Sequence, residues 1–225
     1  MCGRYTLLPN ADELIKFFHL PPEIFALLEP RFNIAPTQPV LVIHERDQKR
    51  QAELMLWGLI PSWSKDPKPS ASMINARSET LSKKPSFRTA FKRRRCIIPA
   101  SGFYEWQKFE KTKQAFYIQP TREKFLAFAG LWEECEGIRS CCIVTTQANA
   151  VMQEFHDRMP VILEKEAFES WLDPTNENVE TLAPLLTPFP PSGMRVIPVS
   201  SFVNSARNQG PQCLDPATPD PTLFE

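Results

Sequence analysis

The order of apolar and polar positions indicates a chain built mainly of short β-strands. Runs of four to seven residues, rich in β-branched and aromatic side chains, are separated by turns marked by proline, glycine or charge. The predicted strands are residues 39–43, 52–57, 95–98, 102–107, 115–119, 125–131, 141–146, 160–163 and 195–199. We therefore expect a sheet-rich core.

Three segments have a helical period instead. Asn10 with Glu13 three residues later is typical of a helix N-terminus, and Leu14, Phe17 and Phe18 follow at helical spacing. The other two predicted helices are residues 86–93 and 164–172. Strands with a few separate helices indicate the α+β class.

The domain organisation is predicted to be simple. No internal repeat and no Gly/Ser linker divides the chain, so residues 1–210 are predicted to form one domain. Residues 211–225 contain four prolines and are predicted to be an extended or disordered tail.

The composition is that of a globular protein: 42% of the 225 residues are hydrophobic, enough to fill a core without a metal or disulfides. Apolar runs such as residues 24–28 are far shorter than the ~20 residues that a membrane helix needs. The chain also opens without an apolar leader. We expect no membrane partner and a cytoplasmic protein, associated with the nucleoid if bacterial.

Charge is balanced overall but segregated along the chain. The 26 basic and 26 acidic residues cancel, yet residues 61–118 carry 13 basic and 4 acidic groups, whereas residues 119–225 carry 7 and 15. The middle segment is thus net +9 and the last net −8. This pattern favours a basic face on an acidic body, which could bind phosphates.

Common cofactor and metal motifs are absent from the sequence. There is no C-x-x-C pair among the six cysteines, no phosphate-binding glycine loop, no H-E-x-x-H and no G-x-S-x-G. The three histidines lie far apart in the chain. We therefore expect no disulfide, no structural metal and no cofactor.

The first candidate chemistry lies at Cys2. Removal of Met1 would leave an amine and a thiol on neighbouring carbons, and such a 1,2-aminothiol condenses with an aldehyde and closes to a thiazolidine. Its amine has a pKa near ~7.7–8.0 and its thiol near ~8.5, so both are accessible nucleophiles near neutrality. The alternative is that a cysteine occupies position 2 by chance.

Three further polar clusters are candidates. Asn75 could orient a carbonyl or ring oxygen and Arg77 could bind phosphate, although an Asx turn would also explain the asparagine. Glu105 lies among aromatic residues, which raise a carboxyl pKa toward the range of a proton donor, unless it faces solvent. His156, beside a carboxylate and a guanidinium, could move protons or be structural.

Together these clusters occur in one family. The chain resembles the SOS-response-associated peptidase (SRAP) family, whose members shield abasic sites in single-stranded DNA by crosslinking to them. The landmarks, over roughly residues 1–215, are Met-Cys-Gly-Arg at 1–4, Arg-Phe-Asn-Ile-Ala-Pro at 31–36, Trp-Gly-Leu-Ile-Pro at 57–61 with Trp63, Ile-Asn-Ala-Arg at 74–77, Gly-Phe-Tyr-Glu-Trp at 102–106, His-Asp-Arg-Met-Pro at 156–160, and Val203-Asn204 with Asn208.

The resemblance implies a fold and a mechanism. The fold is a twisted, barrel-like, mainly antiparallel β core with a few flanking helices and a positively charged groove. In the mechanism Met1 removes itself, Glu105 protonates the sugar ring oxygen, and the amine and thiol of Cys2 form a thiazolidine at C1′. Asn75 binds the opened sugar, and His156 moves protons during formation and reversal of the adduct.

The resemblance also implies a partner, single-stranded DNA containing abasic sites, bound by a protein that we expect to be a monomer. The DNA contacts that we expect are phosphate contacts by Arg4, Arg77 and Arg158, base stacking on Trp63 and Trp106, and a contact from Arg88 on the predicted helix. For residues 92–94, a solvated charged face is the default interpretation.

Two other classes of function remain open from the residues. One is an N-terminal-nucleophile thiol amidohydrolase or peptidase that uses Cys2 and His156 on amides. The other is a non-covalent module for binding single-stranded DNA. Intact mass separates them, because both aminothiol chemistries need Met1 removed and the binding module does not.

Overall fold

Two β-sheets make up most of the structure, a computed structural model that describes residues 2–68, 71–109 and 112–217. The strands are β1 Tyr5–Leu7, β2 Arg31–Ile34, β3 Pro39–Arg46, β4 Lys49–Trp57, β5 Asn75–Arg77, β6 Arg95–Ala100, β7 Gly102–Phe109, β8 Thr112–Pro120, β9 Leu126–Cys135, β10 Ile138–Gln147, β11 Arg158–Pro160 and β12 Met194–Val199. The α-helices are α1 Ala11–Phe18, α2 Arg88–Arg93, α3 Phe168–Leu172 and α4 Val179–Leu182.

The larger sheet closes into a barrel. Its strands follow the order β10-β4-β3-β6-β9, and β9 pairs again with β10. The β4–β10 pair is parallel and the other pairs of the ring are antiparallel. Closure removes free sheet edges, and the predicted barrel-like, mainly antiparallel α+β fold is confirmed.

The second sheet positions the start of the chain. Its order is β12-β8-β7-β1-β2, all antiparallel. Tyr5 on β1 is paired with Phe103 on β7, and the Tyr104 amide donates to the Arg4 carbonyl at 3.0 Å. The first residues of the chain therefore run along β7.

An aromatic cluster joins this sheet to the barrel. The Tyr5 ring meets Trp57 edge-on at 5.3 Å, and the Phe128 ring meets Tyr5 and Phe103 edge-on at 5.9 Å each. All four side chains are at most 1% exposed. Because edge-to-face pairs favour one geometry, the cluster fixes β1 and β7 against the barrel.

Helix α1 is confirmed as predicted: Asn10 Oδ1 accepts from the Glu13 amide at 3.3 Å, and Leu14 and Phe18 are buried.

The run of basic residues at positions 83–95 is partly structural. Buried Arg95 donates to the carbonyl oxygens of Phe91 and Trp171 at 2.7 and 2.6 Å, and burial lowers its pKa to about 10. It thereby ties α2 to α3.

Some predicted boundaries differ from the structure. The strand predicted at 160–163 is β11, at Arg158–Pro160, and the helix predicted from residue 164 begins as the 3-10 turn Lys165–Ala167 before α3. The 3-10 turn Pro211–Leu214 buries Cys213, and Pro216 bridges to Val199, so residues 211–217 pack on the domain rather than forming an extended tail. The rest of that predicted tail, residues 218–225, lies outside the described residues.

Two negative findings apply to the described ranges. None of their helices is long and apolar enough to cross a membrane. No group of three or more His, Cys, Asp or Glu side chains within them could hold a metal ion.

Candidate active site and nucleic-acid interface

Cys2 lies just before β1, with its side chain fully buried. Its carbonyl oxygen accepts a hydrogen bond from Asn75 Nδ2 at 3.0 Å. Burial raises the pKa of the Cys2 thiol, and the negative charge of Glu105 raises it further. The thiol is therefore held neutral until a base takes its proton.

Asn75 opens β5, a strand of three residues paired in parallel with β10 through Ile143. While Nδ2 binds Cys2, the buried Oδ1 accepts no hydrogen bond from any described residue. Leaving such an acceptor unsatisfied costs about 1–3 kcal/mol. The Asn75 side chain thus offers an acceptor beside Cys2 that an incoming N–H or O–H group could satisfy.

Glu105 lies on β7 opposite Phe116 of β8 and is 6% exposed. It is therefore not the solvent-facing strand residue that was the alternative interpretation. Burial raises the pKa of its carboxyl. A carboxyl with a raised pKa is suited to donate a proton.

His156 follows a short 3-10 turn, Met152–Glu154, and its amide donates to the Met152 carbonyl at 3.0 Å. Its Nδ1 lies 3.0 Å from the Arg158 amide nitrogen and 2.5 Å from Asp157 Oδ1. Nδ1 accepts from the amide in the Nε2–H tautomer and donates to the carboxylate in the Nδ1–H tautomer and in the protonated ring. Only the Nδ1–H tautomer leaves the lone pair of Nε2 open to take a proton. In either state Nε2 is the nitrogen left for a substrate.

Burial lowers the pKa of His156. The ring is accordingly neutral and able to accept a proton at neutral pH. The neighbouring Phe155 ring lies 5.0 Å from Phe116, the residue opposite Glu105. The His156 turn therefore packs against the pair of strands that carries Glu105.

These contacts bring the four predicted residues into one neighbourhood. Asn75 bonds Cys2 directly, and Glu105 acts electrostatically on Cys2. The Phe155 ring, next to His156, packs on Phe116 opposite Glu105. The arrangement combines a nucleophile, a buried acid, a neutral imidazole and an open amide acceptor.

Three of the predicted DNA contacts lie on the surface. The Trp63 side chain is 65% exposed. Arg77 and Arg88 are exposed, and neither guanidinium has an ion pair or hydrogen bond with the described part of the chain. All three side chains are free to meet a nucleic acid, and their contacts stay predictions.

Arg4 and Trp106 border a cleft of about 550 Å³. Arg4 Nη1 donates to Asn33 Oδ1 at 2.8 Å, and its guanidinium carbon lies 5.8 Å from the Trp106 ring centre. Trp106 Nε1 donates to Asn204 Oδ1 at 2.7 Å. The cleft is lined by Gly3, Arg4, Pro36, Trp106, Lys113 and Asn204.

Arg158 is not on the surface. Its side chain is 9% exposed, and its two terminal nitrogens bind the Glu79 carboxylate at 2.6 and 3.0 Å. One of them also donates to the Thr145 carbonyl at 2.6 Å. The predicted phosphate contact stays a prediction and requires this pair to open, whereas the observed role of Arg158 is internal.

The sequence analysis assigned no role to two residues that hold segments of the site together, Asn33 and Glu79. Asn33 is fully buried and donates to the carbonyl oxygens of Val203, Ser205 and Asn208 at 3.3, 2.9 and 2.9 Å. It therefore holds the loop that carries Asn204. The other missed residue is Glu79, whose only signal in the sequence was its position two residues after Arg77.

The three basic residues at 92–94 differ in their contacts. Arg93 pairs with Glu177 at 2.8 Å, and Arg94 pairs with Glu133 at 2.8 Å. Lys92 is exposed. Two of the three charges are thus engaged within the protein.

Comparison with known proteins gives one consistent result. The sequence model of the SRAP family, "SOS response associated peptidase", matches residues 1–206. The chain is 42% identical over 224 residues to the abasic site processing protein YoqW of Bacillus subtilis, covering 96% of this chain and 99% of YoqW. It is 33% identical over 226 residues to the abasic site processing protein HMCES of Xenopus tropicalis, covering 83% of this chain and 66% of HMCES.

Solved structures agree. A crystal structure of a protein from Bacteroides thetaiotaomicron superposes with a TM-score of 0.85 at 25% identity, covering 96% of this chain and all of the other. A phage-related protein from Bordetella bronchiseptica gives a TM-score of 0.72 at 27% identity, with 92% and 99% covered.

Proposed function

The chain belongs to the SOS response associated peptidase (SRAP) family, and we propose that it processes abasic sites in DNA. Relatives that match almost the whole chain carry the name abasic site processing protein. The predicted family membership and the predicted α+β fold are both confirmed.

We further propose that processing is covalent, through Cys2. The observation that carries this proposal is the buried Cys2 thiol next to both Glu105 and Asn75, whose Oδ1 accepts no hydrogen bond from the described residues. A non-covalent binding module has no need of a buried acid and an amide acceptor around a cysteine. A crosslinking site can use both, the acid to open the sugar and the amide oxygen to bind it.

The steps balance without a cofactor. Glu105 protonates the ring oxygen of the closed deoxyribose, the bond from C1′ to that oxygen breaks, and the C1′ hydroxyl gives its proton to water as the free aldehyde forms. The Cys2 amine, freed by hydrolysis of the Met1–Cys2 amide, adds to C1′, and water leaves to give a Schiff base. The thiol then adds to the same carbon while its proton moves to the nitrogen, closing the ring.

His156 is the proposed proton carrier of these steps. Its lowered pKa keeps it neutral, so it can take the proton of a neutral thiol or amine and return it. By microscopic reversibility it also assists opening of the ring. Asn75 Oδ1 is the proposed acceptor for a hydroxyl of the opened sugar.

The positively charged groove that the family resemblance implies is proposed to hold single-stranded DNA. Support comes from exposed Trp63, from the exposed side chains of Arg77 and Arg88, which pair with no described residue, and from the net +9 of residues 61–118. Aromatic faces bind bases only when these are unstacked. We expect a monomer acting on DNA in the cytoplasm.

The test is adduct formation with an abasic single-stranded oligonucleotide. Wild type should give a product that survives heat and SDS, and intact mass should show Met1 removed. Cys2→Ala should give none, and Cys2→Ser at most a Schiff base that borohydride traps. Cys135→Ala is the matched control, since Cys135 is another buried thiol, and should behave as wild type.

Other outcomes would favour the alternatives. Retention of Met1 together with tight, salt-sensitive binding would indicate a non-covalent module. Removal of Met1 with hydrolysis of amide substrates but no adduct would indicate an amidohydrolase. A stable adduct from Cys2→Ala would refute the thiazolidine.

A further inference from the structure

The ion pair between Arg158 and Glu79 joins two segments of the site. Glu79 lies in the 3-10 turn Ser78–Thr80 that directly follows β5, the strand of Asn75 and Arg77. Arg158 begins β11, two residues after His156. The two partners are 79 residues apart in the chain.

Both segments are short strands that depend on β10. Strand β5 pairs with β10 at Ile143 to Thr145, and β11 pairs with β10 at Thr145 to Gln147. They lie on opposite sides of β10, so no backbone hydrogen bond of these ladders links them to each other. Three-residue strands have few ladder bonds to fix their position.

The Arg158 guanidinium bridges this gap. It bonds both oxygens of Glu79 on the β5 side and the Thr145 carbonyl on β10 itself. Thr145 Oγ1 in turn donates to the Ala76 carbonyl at 3.4 Å. A bidentate arginine–carboxylate pair constrains direction as well as distance.

The bridge also reaches the His156 ring. The Arg158 amide nitrogen lies 3.0 Å from His156 Nδ1, the ring atom that also meets the Asp157 carboxylate at 2.5 Å. Any shift in the Arg158 backbone would therefore move a group that contacts the ring. The pair thus connects the Asn75 segment, β10 and the position of the His156 ring.

Building on the proposed function, we propose that Glu79 is a positioning residue for crosslinking: through Arg158 it holds the His156 ring in place and in register with Asn75. Glu79 touches neither the sugar nor Cys2. Its side chain is 48% exposed, so it can be changed without opening the core.

The test compares Glu79→Gln with wild type in single-turnover adduct formation over a range of abasic oligonucleotide concentrations. The rate at saturating DNA should fall roughly 10-fold, because small misplacements of a reacting group cost rates of that order. Glu79→Asp keeps the charge on a shorter stem and should lie between the two. Glu177→Gln is the matched control, since it removes an exposed carboxylate that pairs with Arg93, and should leave the rate unchanged.

Two readouts separate positioning from a plain charge effect. If Glu79 only repelled DNA, Glu79→Gln would bind DNA more tightly and crosslink at least as fast. The ¹⁵N shifts of the His156 ring should change in Glu79→Gln and match wild type in Glu177→Gln. A saturating rate within two-fold of wild type, or unchanged ring shifts, would overturn the proposal, whereas absence of adduct from wild type would overturn the proposed function instead.

Discussion

Asn75 and Asn33 are two asparagines near the candidate site whose replacement by alanine should change the free energy of unfolding by very different amounts. Asn75 makes one side-chain hydrogen bond, to the Cys2 carbonyl, and leaves Oδ1 buried without a described partner. Asn33 makes four, to Arg4 and to three carbonyl oxygens of the 203–208 loop. Their environments therefore predict different costs for the same substitution.

The magnitudes follow from these contacts. Asn75→Ala loses one hydrogen bond worth about 0.5–1.5 kcal/mol but removes an unsatisfied acceptor that costs about 1–3 kcal/mol. The free energy of unfolding should stay within about 1 kcal/mol of wild type, or rise. Asn33→Ala loses four bonds and strands buried carbonyl groups, so it should lose on the order of 3 kcal/mol or more.

The assay is urea unfolding of both variants beside wild type, with thermal midpoints as a check. For a chain of this size 1 kcal/mol corresponds to about 2–4 °C. Adduct formation by Asn75→Ala should slow by up to about 10-fold, since the sugar would lose one neutral hydrogen bond. If Asn75→Ala destabilises as much as Asn33→Ala, then Oδ1 is satisfied within the folded protein, and the acceptor role is wrong.

Three further predictions concern charge. Burial lowers the pKa of His156, so the rate at which a preformed adduct exchanges onto competing abasic DNA should fall only when the pH drops below about 6.5. A midpoint of this pH profile at or above that value, or the same midpoint in His156→Gln, would contradict the role of His156 as the proton carrier. Arg77→Ala should weaken single-stranded DNA binding equally for all sequences and lower the salt slope by about 1, as expected for a lost phosphate contact; sequence-selective loss would contradict it. Glu105→Gln removes the carboxylate that raises the pKa of the Cys2 thiol, so alkylation of Cys2 at pH 8 should become faster. Peptide mass spectrometry measures this rate, and equal acceleration at the other buried cysteines would indicate loosening of the fold instead.

The sequence alone predicted most of the regular elements. Alternating apolar residues located the long strands β3, β4 and β6 to β10, and the cap at Asn10 located α1. The pattern missed β1, β2 and β5, which have three or four residues each. Such strands are too short to show a period, and they form because neighbouring strands offer hydrogen-bonding partners.

The sequence also named the chemistry of the site, because Cys2, Asn75, Glu105 and His156 stand in local motifs. It could not show their environments. That Glu105 is buried, that Asn75 Oδ1 lacks a described partner and that His156 is held through Nδ1 depend on strands distant in the chain.

The tertiary structure alone decided which basic residues are available to DNA. A sequence lists Arg77, Arg88 and Arg158 as equal charges, but folding pairs Arg158 with Glu79 and leaves the other two exposed. Whether a guanidinium is free depends on carboxylates and carbonyl groups that approach it in space. Closure of the barrel and the short strands on either side of β10 determine that approach.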